Sequence, residues 1–289
     1  MSTQALFGQL LLGLINGAFY SLLSLGLAII FGLLHVINFA HGAFYTMGAF
    51  VALLLLNHLG VSYGWALVVA PLSVGLLGVV LERTMLQRLY KLDPLYGLLL
   101  TFGLTLIIQG LLRIEYGSSG QPYSIPEGLQ GAYALGFMFL PKYRAWVLLV
   151  SIVVSLGTWY GIERTKLGAY LRAATENPTL VQAFGINVPV LVTLTYGAGV
   201  GLAALVGVLA APIYSVSPLM GADLIVVVFA VVVIGGMGSI AGSILSGFSL
   251  GIVESLTKVF YPEASNTAIF VLMGVVLLVK PVGLFGKAQ

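Results

Sequence analysis

Residues 7–34 read FGQLLLGLINGAFYSLLSLGLAIIFGLL, an apolar run without Lys, Arg, Asp or Glu. A helix needs about 20 mainly apolar residues to cross a bilayer, and this run exceeds that length. The region without charge continues to residue 81. Such a sequence cannot build a surface that faces water, so the first part of the chain is predicted to lie in lipid.

The composition of the whole chain supports the same conclusion. Of its 289 residues, 60% are hydrophobic and only 7% are charged, whereas about a quarter of the residues of a soluble domain are charged. Residues 177–222 and 224–253 also contain no charge. The chain is therefore predicted to be an all-α, polytopic membrane helix bundle. The first segment has no basic residues at its start, and its apolar run is longer than that of a signal peptide. It is therefore expected to be retained as a membrane helix.

Polar residues, Gly and Pro divide the apolar sequence into nine stretches: 7–34, 36–56, 65–86, 95–112, 146–162, 190–211, 224–240, 241–256 and 267–279. We therefore predict about 8–9 transmembrane elements, some of them broken, in a single domain over residues 1–289. The uncertain stretch is 224–256, where Gly235, Gly236 and Gly238 interrupt the run. It is either two short helices or one tilted helix with a re-entrant piece.

The basic residues predict how the chain is oriented. Residues 82–93 and 163–176 are short, basic connections, which are typical of the cytoplasmic side. The N-terminus is then predicted to lie outside and the C-terminal tail in the cytoplasm. Residues 113–145 become an extracytoplasmic loop.

Several kinds of site find no support in the sequence. Cysteine is absent and the three histidines lack neighbouring carboxylates, which argues against a metal site. There is no phosphate-binding Gly-x-x-x-x-Gly-Lys-Ser/Thr loop and no nucleophile elbow. We predict no catalytic residue, no cofactor and no nucleic-acid partner, and an intramembrane enzyme has the least support.

Residues 164–188 are predicted to form two short amphipathic helices. One face of the first helix carries Leu167, Tyr170, Leu171 and Ala174. Asn177 is expected to cap the second helix, with Pro178 at its first position and Gly185 after its end. Such a pair between spans is either a passive interfacial segment or a contact for a soluble motor.

Polar residues and glycines within the spans are candidates for a solute pathway. Asn38 and His41 lie in apolar sequence, where polar groups are costly unless they face a cavity or a partner. They either line a pathway around a broken second span or bind backbone freed by a helix break at Gly42. Gly235, Gly236 and Gly238 either open the backbone to the solute or serve tight packing.

Other small and charged residues predict helix contacts. Glycines recur at a spacing of four residues, which allows close approach of membrane helices: Gly13/Gly17, Gly197/Gly201, Gly238/Gly242 and Gly247/Gly251. Glu254 and Lys258 are expected to form an interfacial charge pair.

Three segments together resemble a known family. Residues 37–42 read INFAHG, residues 172–187 read RAATENPTLVQAFGIN and residues 234–239 read IGGMGS. In this order, over nearly the whole chain, they resemble the branched-chain amino acid type (LivH-like) permease subunits of ATP-binding cassette importers. The resemblance implies a bacterial inner membrane, a second homologous permease, two cytoplasmic ATP-binding subunits and a periplasmic or lipid-tethered solute-binding protein.

The resemblance also implies roles for particular residues. Contact with the ATPase is expected at Arg172, Ala173, Glu176, Asn177, Ala183 and Gly185. The translocation pathway is expected at the polar residues and glycines described above, on the cost of burying them and not on the resemblance: Asn38, His41, Gly42, Gly235, Gly236 and Gly238. The chain would then be a permease and not itself an enzyme.

The solute stays open at this point. The family resemblance favours a branched-chain or other amino acid as the solute. Because Ala43 and Val227 depart from the pattern of amino acid permeases, urea, an amide or a small organic acid stay open as alternatives. The alternative function is a stand-alone secondary transporter or channel. Such proteins commonly place an ionisable group at the midplane, for which His41 is the only candidate here.

Overall fold

The computed structural model describes residues 3–34 and 37–286. These residues form eleven α-helices and one short hairpin. The helices are α1 Thr3–Leu34, α2 Ala40–Leu59, α3 Tyr63–Thr84, α4 Pro94–Tyr116, α5 Lys142–Glu163, α6 Lys166–Glu176, α7 Pro178–Ala183, α8 Val188–Ala210, α9 Met220–Gly235, α10 Ile240–Phe260 and α11 Ser265–Val279. Strands β1, Ala132–Ala134, and β2, Phe139–Pro141, pair antiparallel with Tyr133 opposite Leu140.

The prediction of a polytopic helical membrane bundle is confirmed. Among the described residues, α1 to α5, α8 and α10 are seven helices long and apolar enough to cross a membrane, and two shorter apolar helices correspond to α9 and α11. Because α9 ends at Gly235 and α10 begins at Ile240, residues 224–256 contain two helices. Of the two, α10 is long enough to cross a membrane and α9 is shorter, with 16 residues, so whether α9 is a re-entrant piece stays a prediction.

The spanning helices differ in how deeply they are buried. In the most apolar part of α1, 83% of the residues are buried, whereas the corresponding value for α5 is 17%. Large apolar side chains on α5, such as Leu149 and Val153, are more than half exposed. In a membrane such side chains face lipid, so α5 offers a lipid-facing surface while α1 lies in the interior.

The chain divides into two compact units. The first unit comprises residues 1–25, 124–157 and 226–289, and the second comprises residues 26–123 and 158–225. Three of the four boundaries fall inside α1, α5 and α9, and the fourth lies between Tyr123 and Ser124 in the connection after α4.

In the first unit, α1 and α10 approach each other through glycines. A Cβ atom on Gly17 would lie 2.7 Å from the Cα of Phe248, and one on Gly251 would lie 2.3 Å from the amide nitrogen of Gly17. Any side chain would push the two helices apart. The predicted contacts at Gly13/Gly17 and Gly247/Gly251 are thus confirmed, whereas Gly238 lies in the turn after α9 and not in a helix.

In the second unit, α8 packs along α2 and α3, and α2 also packs against α4. Gly197 and Gly201 form close contacts with α3 at Val79 and Pro71, as their spacing predicts. Buried α8 residues such as Val200 and Ala203 are fully inaccessible to solvent. This arrangement makes α8 the centre of the unit, with the short helices α6 and α7 immediately before it in the chain.

Candidate solute pathway and coupling segment

The connection from α1 to α2 contains non-helical backbone buried in the second unit. Residues 37–39 are not helical, and Thr101 of α4 binds them from the side. The Thr101 hydroxyl accepts from the Phe39 amide at 3.2 Å and lies 3.2 Å from the Ile37 carbonyl. Thr101 is fully buried, so a side chain within the bundle, and not water, binds these two backbone groups.

The two polar residues predicted here, Asn38 and His41, are both fully buried. The side-chain amide of Asn38 donates to the hydroxyl of Tyr196 on α8 at 3.1 Å. The His41 ring lies against α1, because a Cβ atom on Gly26 would be 3.0 Å from its Cε1. The side chain of Asn38 therefore binds Tyr196, and the released backbone is bound by Thr101.

Gly42 lies inside α2, which is continuous from Ala40, so the alternative that placed a helix break at Gly42 is wrong. The break falls earlier, at residues 37–39. At Gly42 the helix instead meets the start of α9, where a Cβ atom on Gly221 would lie 1.9 Å from the Gly42 carbonyl oxygen. The Thr46 hydroxyl supports this contact by donating to that carbonyl and accepting from the Gly221 amide, each at 3.1 Å.

The glycine cluster of the first unit forms a tight turn between α9 and α10. Gly236 and Gly238 have φ values of 101° and 83°, which favour glycine. The C-terminal tail packs on this turn, with the Phe285 amide donating to the Gly235 carbonyl at 3.1 Å. A Cβ atom on Gly236 would lie 2.4 Å from the Gly286 amide nitrogen. Close packing accounts for these glycines, and their pathway role stays a prediction.

The predicted helix pair at residues 164–188 is present as α6 and α7. The Asn177 side chain accepts from the Leu180 amide at 3.0 Å, Pro178 is the first residue of α7, and Gly185 follows its end with a φ of 82°. Asn187 caps α8 in the same way, with the Val190 amide as donor. The segment from α6 to α8 is thus a series of capped helices joined by very short turns.

One face of this helix pair is packed and the other is exposed. Ala174, Val181 and Val188 form a buried apolar cluster that joins α6, α7 and the start of α8. Arg172 fastens α6 to the end of α5: its guanidinium donates to the Ile162 carbonyl at 3.0 Å and pairs with Glu163 at 3.5 Å. A push on the exposed face would therefore reach α8 through packed side chains.

All six residues predicted to contact an ATPase lie on the exposed side: Arg172, Ala173, Glu176, Asn177, Ala183 and Gly185. Two apolar side chains accompany them that the sequence analysis did not single out. Leu180 is 54% exposed and Phe184 is 78% exposed. The sequence could have indicated Phe184 as a contact residue, because it is an aromatic residue between the predicted contacts Ala183 and Gly185, directly after the end of a helix.

A buried carboxylate near this segment was missed. Glu82, at the end of α3, is fully buried. Its Oε2 accepts from the Thr193 hydroxyl of α8 at 2.5 Å, and its Oε1 accepts from the Tyr90 hydroxyl at 2.6 Å. Burial, and then the hydrogen bond to Glu82, raise the pKa of Tyr90 above its ordinary value. Glu82 thus connects α3, α8 and the connection before α4.

Comparison with known proteins gives the context for this geometry. Residues 9–280 match the family model of the permease component of branched-chain amino acid transport systems. The chain is 28% identical to the high-affinity branched-chain amino acid transport system permease protein LivH of Escherichia coli, over 100% of this chain and 99% of LivH. It is 29% identical to the corresponding permease protein BraD of Pseudomonas aeruginosa, over 97% and 96% of the two chains.

A solved structure, PsaBC from Streptococcus pneumoniae in complex with Fab, is similar over 93% of this chain and 89% of that chain, with 13% identity and a TM-score of 0.47. That likeness is too low to bear on function. The match to the family model covers nearly the whole chain, including the pathway candidates and the coupling segment. The chain therefore belongs to the family of permease components of branched-chain amino acid transport systems.

Proposed function

We propose that this chain is the pore subunit of an ATP-binding cassette importer that moves branched-chain amino acids across the bacterial cytoplasmic membrane. Separate subunits would hydrolyse the ATP. The observation that carries the proposal is the exposed face of α6 and α7, with Leu180 and Phe184 uncovered, in a chain of this family. An exposed aromatic residue beside small ones is typical of a docking surface.

The proposed topology places the N-terminus outside, and residues 82–93, α6, α7 and the C-terminal tail in the cytoplasm. Contacts inside each unit are consistent with it. The turn 236–239 and the C-terminal tail, both assigned to the cytoplasm, are in contact. Gln121 and Val216, in two connections assigned to the outside, are bonded to each other.

The proposed partners are a second homologous permease, two cytoplasmic ATP-binding subunits and a periplasmic or lipid-tethered binding protein. This chain is also 26% identical to the permease protein LivM of Escherichia coli over 92% of its length, which supports pairing with a homologous permease. Closure of the ATP-binding subunits would push α6 and α7. The movement would pass through the Ala174, Val181 and Val188 cluster to α8.

We infer that Asn38 contributes to the solute pathway. It is fully buried, and within the described residues its Oδ1 has no hydrogen-bond partner. A buried amide oxygen without a partner is costly, so it is expected to gain one during transport. Asn38→Leu should abolish solute-stimulated ATPase activity in the assembled complex while the ATP-binding subunits still co-purify. Unchanged stimulation would remove Asn38 from the pathway.

The test of the proposed function uses Phe184→Asp, with Phe139→Asp as the matched control. Phe139, in β2, is 77% exposed, almost the same as Phe184, but lies in the loop assigned to the outside. Arg172 is a poorer probe because it also binds Ile162 and Glu163. The measurements are co-purification of ATP-binding subunits, and ATPase activity in lipid with the binding protein and each solute.

Phe184→Asp should lower the recovered ATP-binding subunits and the stimulated activity at least tenfold, and Phe139→Asp should leave both unchanged. Leucine, isoleucine or valine should stimulate, and urea or short amides should not. Unchanged uptake in Phe184→Asp would contradict the coupling role. Uptake by the purified chain alone along an ion gradient would identify a stand-alone transporter.

A further inference from the structure

A groove of about 910 Å³ lies in the second unit between α3, α8, the end of α5 and the start of α6. Leu72 and Leu76 of α3 and Leu194 of α8 line it and are 68%, 65% and 60% exposed. The groove therefore opens onto the surface of the unit. In a membrane, such an apolar surface is in contact with hydrocarbon.

The lining excludes a polar solute. Its polar side chains are three threonines, Thr158, Thr165 and Thr195. The Thr195 hydroxyl already donates to the Leu191 carbonyl at 2.7 Å, and the Thr165 hydroxyl donates to the Gly161 carbonyl. A ligand with many hydrogen-bonding groups would leave them unsatisfied here, at a considerable cost in free energy. The groove suits a hydrocarbon chain.

The length of the groove indicates what kind of hydrocarbon. Along α3 the lining runs from Leu67 to Val79, which is about 18 Å at the helical rise of 1.5 Å per residue. Half of the bilayer's hydrocarbon core is about 15 Å thick. One acyl chain that enters at the end near α6 therefore fills most of the groove, whereas a partner's spanning helix is about twice as long.

Two basic residues border the end of the groove at α6. Arg164 and Lys166 flank the lining residue Thr165, and both are exposed. The Arg164 guanidinium lies 5.6 Å from the centre of the Trp159 ring. The nearby Glu163 is paired with Arg172, and within the described part of the chain neither Arg164 nor Lys166 forms a salt bridge. Basic pockets at the cytoplasmic ends of spans favour anionic headgroups.

We propose that this groove binds one acyl chain of an anionic phospholipid, whose phosphate is held by Arg164 and Lys166. Placement in the cytoplasmic leaflet rests on the topology of the proposed function. The acyl chain would contact Leu167 and Leu171 of α6 together with α3 and α8. The bound lipid would thus stabilise the position of the coupling segment.

The experiment is native mass spectrometry of the purified assembly, with phosphatidylglycerol or phosphatidylcholine added in detergent. Two variants test the two ends of the site. Arg164→Gln with Lys166→Gln removes the charge, and Arg83→Gln with Arg88→Gln is its control on another exposed basic connection. Gly161→Leu fills the groove, where a Cβ atom meets nothing within 4 Å. Gly103→Leu, equally open and also half-buried, is its control.

We expect one tightly held phosphatidylglycerol per chain. The charge variant should bind it about tenfold more weakly, Gly161→Leu should lose it, and both controls should match the unmodified chain. Equal binding of phosphatidylcholine, or retention of lipid in Gly161→Leu, would overturn the proposal. Loss of the second permease from the assembly that contains Gly161→Leu would also overturn it, because the groove would then be the interface with that permease. Lipid binding is measured without ATP, so a failure of the proposed function would show separately.

Discussion

Among the described residues, each unit of this permease contains one buried glutamate, and the two are held differently. Glu82 accepts from two hydroxyls, those of Tyr90 and Thr193, and no described basic side chain lies within salt-bridge distance of it. Glu254 is 4% exposed and accepts from the Tyr20 hydroxyl at 2.6 Å, while Lys258 pairs with its other oxygen.

The difference shows two ways to keep a carboxylate in a membrane protein. The Lys258 side chain is 44% exposed, so Glu254 has a counter-charge that can also reach water. The expected charge pair is confirmed, although Glu254 itself is buried and not interfacial. Glu82 depends on uncharged donors from two other segments. We therefore expect the chain to be more sensitive to changes around Glu82.

The largest effect is expected from Glu82→Ala. This change removes the acceptor of the Tyr90 hydroxyl, leaves the Thr193 hydroxyl only its contact with the Pro189 carbonyl, and opens a cavity between α3 and α8. Together these effects should cost about 3 kcal/mol of stability. Thermal unfolding of the purified chain in detergent measures it. Glu82→Gln keeps an acceptor and a similar volume and should cost much less. Equal losses for both variants would mean that the charge, and not the hydrogen bonding, is what matters.

Glu254→Ala should have a smaller effect, about 1.5 kcal/mol in the same assay. The Tyr20 hydroxyl loses its acceptor, but the Lys258 ammonium can turn toward water. The double change Glu254→Ala with Lys258→Ala should be no less stable than Glu254→Ala alone. If Glu254→Ala destabilised the chain more than Glu82→Ala, the contrast between the two units would be wrong.

Thr193→Val removes the hydrogen bond from α8 to Glu82 of α3, together with a contact to the Pro189 carbonyl within α8, and should cost about 1 kcal/mol. Thr195→Val is the control on the same helix, because its hydroxyl donates to the Leu191 carbonyl within α8. The control should change the unfolding temperature by less than half as much. Similar changes in unfolding temperature for the two variants would indicate that the hydrogen bond from Thr193 to Glu82 adds little to stability.

The smallest effect is expected at alkaline pH. The pKa of Tyr90 is raised above its ordinary value by burial and by Glu82, so its contribution to stability is complete below pH 10 and is lost as the pH rises further. At pH 11 the loss should approach about 1 kcal/mol. Tyr90→Phe should lower stability at pH 8 but show a shallower decline between pH 9 and 11. If the stability of Tyr90→Phe declined as steeply with pH as that of the unmodified chain, the raised pKa of Tyr90 would not be the cause of the decline.

Whether the partners of a residue lie near it or far from it along the chain explains which features the sequence predicted. The nine apolar stretches correspond to helices because length and hydrophobicity are properties of one segment. The caps of α7 at Asn177 and Gly185 were predicted for the same reason, because their partners lie within three residues. The boundary of α5 was placed at residue 146, four residues late, because Lys142 and Arg144 at its start are polar.

The features that sequence could not predict have partners far along the chain. Glu82 was assigned to a basic cytoplasmic connection, and nothing near it indicates that Thr193, 111 residues away, would bury it. Likewise, a break at Gly42 was one of the two alternatives, but α2 is continuous there and Gly42 instead lies in close contact with Gly221, 179 residues further along the chain. The role of Thr101 at the break depends on α4 lying beside residues 37–39.

The sequence by itself therefore determined the membrane environment, the positions of the apolar stretches, the capped coupling segment and the family, because each depends on neighbouring residues or on an uninterrupted motif. Only the tertiary structure decided which polar groups are buried, which face of α6 and α7 is left for a partner, and where a groove forms beside Arg164 and Lys166. These depend on the distances between helices, and in lipid those distances are set by the packing of small residues.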